Sequence, residues 1–157
     1  MKIATATGVV PELGPLTKLV NAFTDKQGEI VAAGISSPLD WEPLTAFLEA
    51  DQFKRVGAYL EVFDWPQYRE FLTSWAAGGT RFEFTIFHMT EVGNAVFQEI
   101  EERHHRGAEF IRKNVIAVYR FNDRKKLIHL DIYEQAQDSG RWIKEAAQTA
   151  VAAAPTT

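Results

Sequence analysis

Beyond Gly79 the apolar side chains of this chain recur at every second residue, and short turn-forming stretches divide that alternation into four runs. The runs cover roughly 81–91, 94–105, 109–121 and 126–135, with turns near Val92–Gly93, Arg106–Gly107 and Asn122–Lys125. A period of two is the signature of a strand with one buried face. Links this short leave no room for a crossover, so successive strands must pair antiparallel. A four-stranded meander with one apolar face needs a cover, and this requirement shapes everything else.

The cover precedes the sheet. From Pro15, residues Leu16, Leu19, Val20, Phe23, Ile30 and Val31 recur at helical spacing, and Gly34 supplies a stop. Asp40 is placed to cap a short helix bearing Leu44, Phe47 and Leu48. Residues 53–63, FKRVGAYLEVF, read as a strand. Asp64, followed by Trp65 and Pro66, opens a helix with Tyr68, Leu72 and Trp75 inward and Gly78–Gly79 at its end. After the sheet, the segment from Asp138 predicts a last helix through Trp142, Ile143 and Ala146. The expected class is α+β: N-terminal helices packed in the concave face of a curved antiparallel sheet. At 157 residues the chain is expected to form a single domain, with loose ends at 1–14 and 150–157.

Neighbouring side chains on a strand point to opposite faces, so alternation also sorts the charges. Phe82, Phe84 and Ile86 share a face with His88. Val96, Gln98 and Ile100 lead into Glu102 and His104. Ile111, Val115, Ala117, Tyr119 and Phe121 share a face with Lys113, and Ile128, Leu130 and Ile132 with Glu134. Each strand thus places an ionisable group in an otherwise apolar row. Such a group must be paired, at a wet rim, or functional. Four cases on one sheet point to the wall of a pocket. Glu99, Glu101 and Arg103 fall on the opposite face, within reach of Arg112 or Arg120, and Phe97 beside them points to a partly covered outer surface.

Several classes of function are excluded or disfavoured. A net charge of −4, with no basic helix face, argues against nucleic acid. The absence of cysteine removes disulfides, thiol catalysis and soft-metal sites. No apolar run reaches the length of a membrane span, and the expected location is cytoplasmic. There is no Gly-rich phosphate loop and no nucleophile elbow. The adjacent His104 and His105 point to opposite faces and cannot easily share one ion. A metal set of His88, His104 and Glu102 or Glu134 is geometrically conceivable, but no metal is expected.

Helices followed by antiparallel strands, with VYRFNDRKKLIHLDIYEQ near the end, resemble the SnoaL-like branch of the nuclear transport factor 2-like superfamily over roughly residues 15–145. The resemblance implies a cone-like barrel, a bent sheet wrapped around helices that leaves a deep apolar cavity. Its members include ketosteroid isomerase, scytalone dehydratase, polyketide cyclases, limonene epoxide hydrolase and diarylpropane lyases, and most of the enzymes need no cofactor. The epoxide hydrolase branch carries Glu-Arg-x-Asp before the Gly turn. Counting back from Gly107, its Asp falls on Glu102, but its Arg falls on Ile100, and a second Asp on the closing strand falls on Ile132. Two of three catalytic positions are missing.

The expected function is therefore a cofactor-independent lyase, dehydratase or isomerase acting on a small hydrophobic, aromatic or phenolic molecule. Glu102 or His104 would be the general base, His88 an acid or orienting donor, and Lys113 the stabiliser of oxyanion or phenolate charge. Arg55, Tyr59, Glu134, Ile100, Trp75 and Phe84 would bind substrate. Two alternatives stand beside it: a non-catalytic binding module in which Lys113 pairs with Glu102 or Glu134, and an epoxide-type hydrolase using another constellation. A homodimer or higher oligomer through the outer sheet face is expected.

Overall fold

The computed structural model describes residues 13–77, 79–135 and 145–149. Helix α1 spans Pro15–Ala33 and ends at Gly34, whose φ of 95° needs a residue without a Cβ. A 3-10 helix follows over Pro38–Ala46. Its cap is Ser37, and Asp40 completes a capping box from the third position rather than capping the helix itself. Pro43 lies inside it and lacks an amide hydrogen, which disfavours a continuous α-helix. Helix α2, Trp65–Ala76, opens on an Asp64–Gln67 capping box with Pro66 in its first turn.

Residues 53–63 do not form the single strand their pattern predicts. They split into β1 (Lys54–Val56) and β2 (Val62–Phe63), an antiparallel pair joined by a tight loop. Gly57 donates to the Glu61 carbonyl at 2.9 Å, and Leu60 donates to that of Gly57 at 3.0 Å. The glycine interrupts the alternation and lets the chain fold back on itself.

Four longer strands complete the sheet: β3 (Arg81–Val92), β4 (Ala95–Arg106), β5 (Glu109–Phe121) and β6 (Leu127–Glu134). The order is β2-β1-β6-β5-β4-β3, and the sheet is mixed, because β1 runs parallel to β6. Seventy residues separate these two strands, so no hairpin imposes an antiparallel pairing. Turns at Gly93 and Gly107 both have φ of 58°. On the inner face the registers build rows across β3, β4, β5 and β6. Phe84, Glu102 and Lys113 form one; Ile86, Ile100, Val115 and Glu134 form the next.

One irregularity reorders the first of these strands. Between Ile86 and His88 the β3–β4 register slips, so Phe87 is an extra residue in a β-bulge. Beyond it the parity reverses. His88, expected on the inner face with Phe82, Phe84 and Ile86, is paired with Glu99 on the outer face and is exposed there, its Nδ1 3.2 Å from that carboxylate. Met89 and Glu91 point inward instead.

Glu91 then caps α1 from a distant strand. Gly14 at the cap position has no side chain, and Glu91 Oε2 accepts from the amides of Leu16 at 3.1 Å and Thr17 at 2.9 Å, and from the Thr17 hydroxyl at 3.1 Å. A Cβ on Gly14 would lie 2.2 Å from that oxygen. The carboxylate thus caps the helix from across the fold and meets the positive end of its dipole.

Helices α1 and α2 and the 3-10 helix cover the inner face. Trp41, Leu44, Phe53, Val20, Val96 and Leu127 are fully buried in the resulting core. On the outer face Glu101 pairs with Arg103 and Arg112, and Arg120 pairs with Asp131, while Phe97, Ile116 and Tyr133 stay exposed. Among the described residues no helix is long and apolar enough to cross a membrane. Residues 145–149 are helical; the rest of the expected last helix, and most of the expected loose N-terminus, lie outside the described residues.

Replacing Glu91 with Ala is expected to lower stability by about 1–2 kcal/mol, the usual worth of a helix cap with its dipole interaction. Chemical denaturation of the variant checks this. Gly14→Ala should lose a similar amount, since its Cβ displaces the same carboxylate.

Candidate functional site

The inner face of the sheet and the two α-helices enclose a cavity of about 570 Å³. Its lining is mostly apolar and aromatic, with Phe23, Phe71, Leu72, Phe82, Ile100 and Ile132 among the walls. Nine of the ten residues expected at a site line it: Glu102, His104, Lys113, Glu134, Arg55, Tyr59, Trp75, Phe84 and Ile100. His88 is the exception, carried outside by the bulge. With His88 and His104 on opposite faces, the conceivable metal set is not assembled. Among the described residues no cluster of three or more His, Asp or Glu is arranged to hold an ion.

The polar wall is built from strands β4, β5 and β6. Glu102 and His104 are two apart on β4, so both face the cavity, and His104 Nε2 lies 3.0 Å from Glu102 Oε2. Lys113 sits opposite Glu102 in the β4–β5 register, its Nζ 3.7 Å from the same Oε2, and it is hydrogen-bonded to Glu134 on β6. All four side chains are more than three-quarters buried. Here the charges are not free: one ammonium is shared between two carboxylates.

Trp75, from the end of α2, fixes the imidazole. Its indole nitrogen donates to His104 Nδ1 at 3.3 Å, and Phe82 packs 4.8 Å from the His104 ring. An indole N–H can only donate, so Nδ1 is the acceptor and a neutral His104 carries its proton on Nε2. That proton is the one given to Glu102. His104 therefore orients Glu102 rather than offering a free lone pair, and Glu102 Oε1 takes no hydrogen bond from the described residues.

Deeper in, Tyr119 donates to Gln98 Oε1 at 3.3 Å, and Tyr68 of α2 lies nearby. Burial pushes the Tyr119 phenol far above its ordinary 10.0, with the neighbouring Tyr68 and Glu102 charges adding to it. Burial likewise raises Tyr68, against the pull of Arg55. Both phenols stay protonated, and Tyr119 acts as a donor. Neither was singled out from the sequence, although Gln98 and Tyr119 stand in the inward rows, where a polar group among apolar ones is the available signal.

Arg55 and Tyr59 lie where β1 and its loop meet α2. Arg55 Nη1 bonds Glu61 Oε1 at 3.1 Å, and the guanidinium packs against Phe71 at 4.7 Å, Tyr68 at 5.5 Å and Phe63 at 5.8 Å. Tyr59 is exposed at the cavity's edge. Partial burial acts to raise the Glu61 carboxyl, but hydrogen bonds from its own and the Tyr59 amides and from Arg55 outweigh it and hold it below 4.5.

No family model and no curated protein matches the sequence. Solved structures do match. A SnoaL-like polyketide cyclase from Shewanella putrefaciens superposes with a TM-score of 0.62, covering 94% of this chain and 98% of its own at 12% identity. The chain has the SnoaL-like, nuclear transport factor 2-like fold. The same fold is seen in a LEH-like epoxide hydrolase from M. tuberculosis (TM-score 0.61, 19% identity, 90% and 99% covered). A pinacolase from Penicillium brevicompactum also has it (0.60, 14%, 88% and 96%). At these identities the likeness is one of fold. Ile100 and Ile132 are apolar walls of the cavity that Glu102 also lines.

Ultraviolet titration checks the buried phenols. Unfolded tyrosine ionises near pH 10 while folded Tyr68 and Tyr119 remain protonated, so the stability present below pH 10 is lost as pH rises above it. Tyr68→Phe and Tyr119→Phe should each remove a phenol that ionises only above pH 10 in the native protein. A native titration in which either ionises below that value contradicts the burial.

Proposed function

We propose that this chain is a cofactor-independent acid–base enzyme, a lyase or dehydratase for a small aromatic or phenolic molecule, with Glu102 as its base. One observation carries the reading. A carboxylate stands in the wall of a largely apolar cavity, its Oε2 taken by His104 and Lys113 and its Oε1 left for a ligand. In such surroundings an ionised oxygen is poorly solvated and well placed to accept a proton.

In an elimination, Glu102 Oε1 takes the proton from the carbon next to the one bearing the leaving hydroxyl. The C–H electron pair becomes the new C=C bond as the C–O bond breaks. The proton held by Glu102 then passes to the departing oxygen, which leaves as water. His104 Nε2–H and the Lys113 ammonium hold Oε2 and offset charge during the transfer. A nitrogen with three donors, Lys113 can also face a substrate oxyanion or phenolate while keeping Glu134. The aromatic walls, Trp75, Phe82 and Phe84 among them, suit a flat substrate.

A second reading has its own support. Lys113 is occupied by two carboxylates, the arrangement expected of a structural ion pair in a module that binds small ligands without turning them over.

The experiment is a turnover screen over phenolic diols and β-hydroxy aromatic compounds. Glu102→Gln is expected to lower turnover roughly 10²–10⁴-fold, the usual contribution of a positioned base, with the thermal midpoint nearly unchanged. Undiminished turnover in this variant excludes Glu102 as the base. Tight binding of these compounds with no turnover in the wild type favours the binding module.

A further inference from the structure

The Arg55 guanidinium is more completely satisfied by aromatic faces than by acceptors. It is 8% exposed, lines the cavity, and lies within 6 Å of three ring centroids. Glu61 takes Nη1, and the enclosed Nε has no hydrogen-bond partner among the described residues. A buried cation with an orphaned donor is costly unless something else completes it. Glu61 has both carboxylate oxygens engaged. It reaches Arg55 through one oxygen, with the other on the Tyr59 amide, and its approach depends on the bare backbone of Gly57, where a Cβ would lie 1.5 Å from Glu61 Oε1.

We propose that Arg55 is the receptor for a carboxylate on the ligand, so that the molecule taken by this cavity is an aromatic acid. This rests on the cavity being the ligand site of the proposed function and adds the substrate class. A ligand carboxylate arriving from the cavity supplies a further acceptor to the part of the guanidinium that lines it, in surroundings where a charge-assisted hydrogen bond is strong. The charges also fix the direction of binding. An acid placed against the β4–β6 wall would meet Glu102 and Glu134, whereas at Arg55 it meets a cation, with its ring lying along the apolar walls toward Glu102. Tyr68 lines the same cavity, and its phenol senses both the Arg55 and the Glu102 charge.

Calorimetric titration of the full chain tests this with benzoate, phenylacetate and 4-hydroxycinnamate, each against its primary amide. At least one acid should bind roughly 10–100-fold tighter than its amide, the range of a hydrogen bond to a charged group. Arg55→Met should erase that preference, lowering acid affinity far more than amide affinity. Glu61→Gln, which removes the competing carboxylate and keeps the arginine, should strengthen acid binding several-fold; this variant carries the test if Arg55→Met fails to fold. Glu102→Gln should retain the preference for the acid. The proposal is overturned if no acid out-binds its amide, if the preference survives Arg55→Met, or if Glu61→Gln weakens acid binding. A preference for acids without turnover of any of them counts against the proposed reaction and leaves the receptor standing. Turnover confined to neutral compounds does the reverse.

Discussion

Helix α1 is held over the sheet by a carboxylate that β3 can offer only because the strand is bulged. Without the extra residue at Phe87, strict alternation would put Glu91 on the outer face and leave the first amides of α1 without their acceptor. The bulge therefore sets the seat of the helix, and the helix is one wall of the cavity. Gly14 belongs to the same constraint, since any side chain there would occupy the space of the carboxylate. A local irregularity in one strand governs the shape of a site whose reactive groups lie on the other strands.

The inner face then carries a second constraint. Rows that begin with Phe84 or Ile86 end in Lys113 or Glu134, so apolar and ionic groups share one surface. Burying that many charges is tolerable because they are close enough to satisfy one another. Lys113 bridges two carboxylates, His104 donates a hydrogen bond to Glu102, and Trp75 holds the far side of the imidazole. Two features of the cavity lining are informative: among the described residues no hydrogen bond reaches Oε1 of Glu102, and the Nε of Arg55 has no partner. These groups stand at two stations of one cavity, which is the arrangement expected of a site that orients a ligand from one end and acts on it at the other.

Much of this was legible in the sequence because period-two alternation is a direct consequence of strand geometry. The four long strands, their glycine turns and the inward placement of Glu102, His104, Lys113 and Glu134 all follow from parity alone. His88 shows the limit. A bulge shifts parity without marking the sequence, since Phe87 is an ordinary strand residue, and every assignment beyond it on β3 inverts. Residues 53–63 fail for a related reason: Gly57 was read as a strand position, whereas its missing side chain makes room for Glu61. The pairing of Arg55 with Glu61 was hidden by the same misreading of that loop, and the orientation of His104 by Trp75 depends on a contact between separate elements, which local pattern does not encode.

The central claim, that an aromatic ligand occupies this cavity beside Glu102, is tested most directly by a crystal structure of the protein soaked with 4-hydroxycinnamate. The account predicts density for the ring between the aromatic walls and the β4–β6 wall, with a ligand atom in hydrogen-bond reach of Glu102 Oε1. A cavity filled by its own side chains, or ligand bound only on the outer face of the sheet, would contradict it.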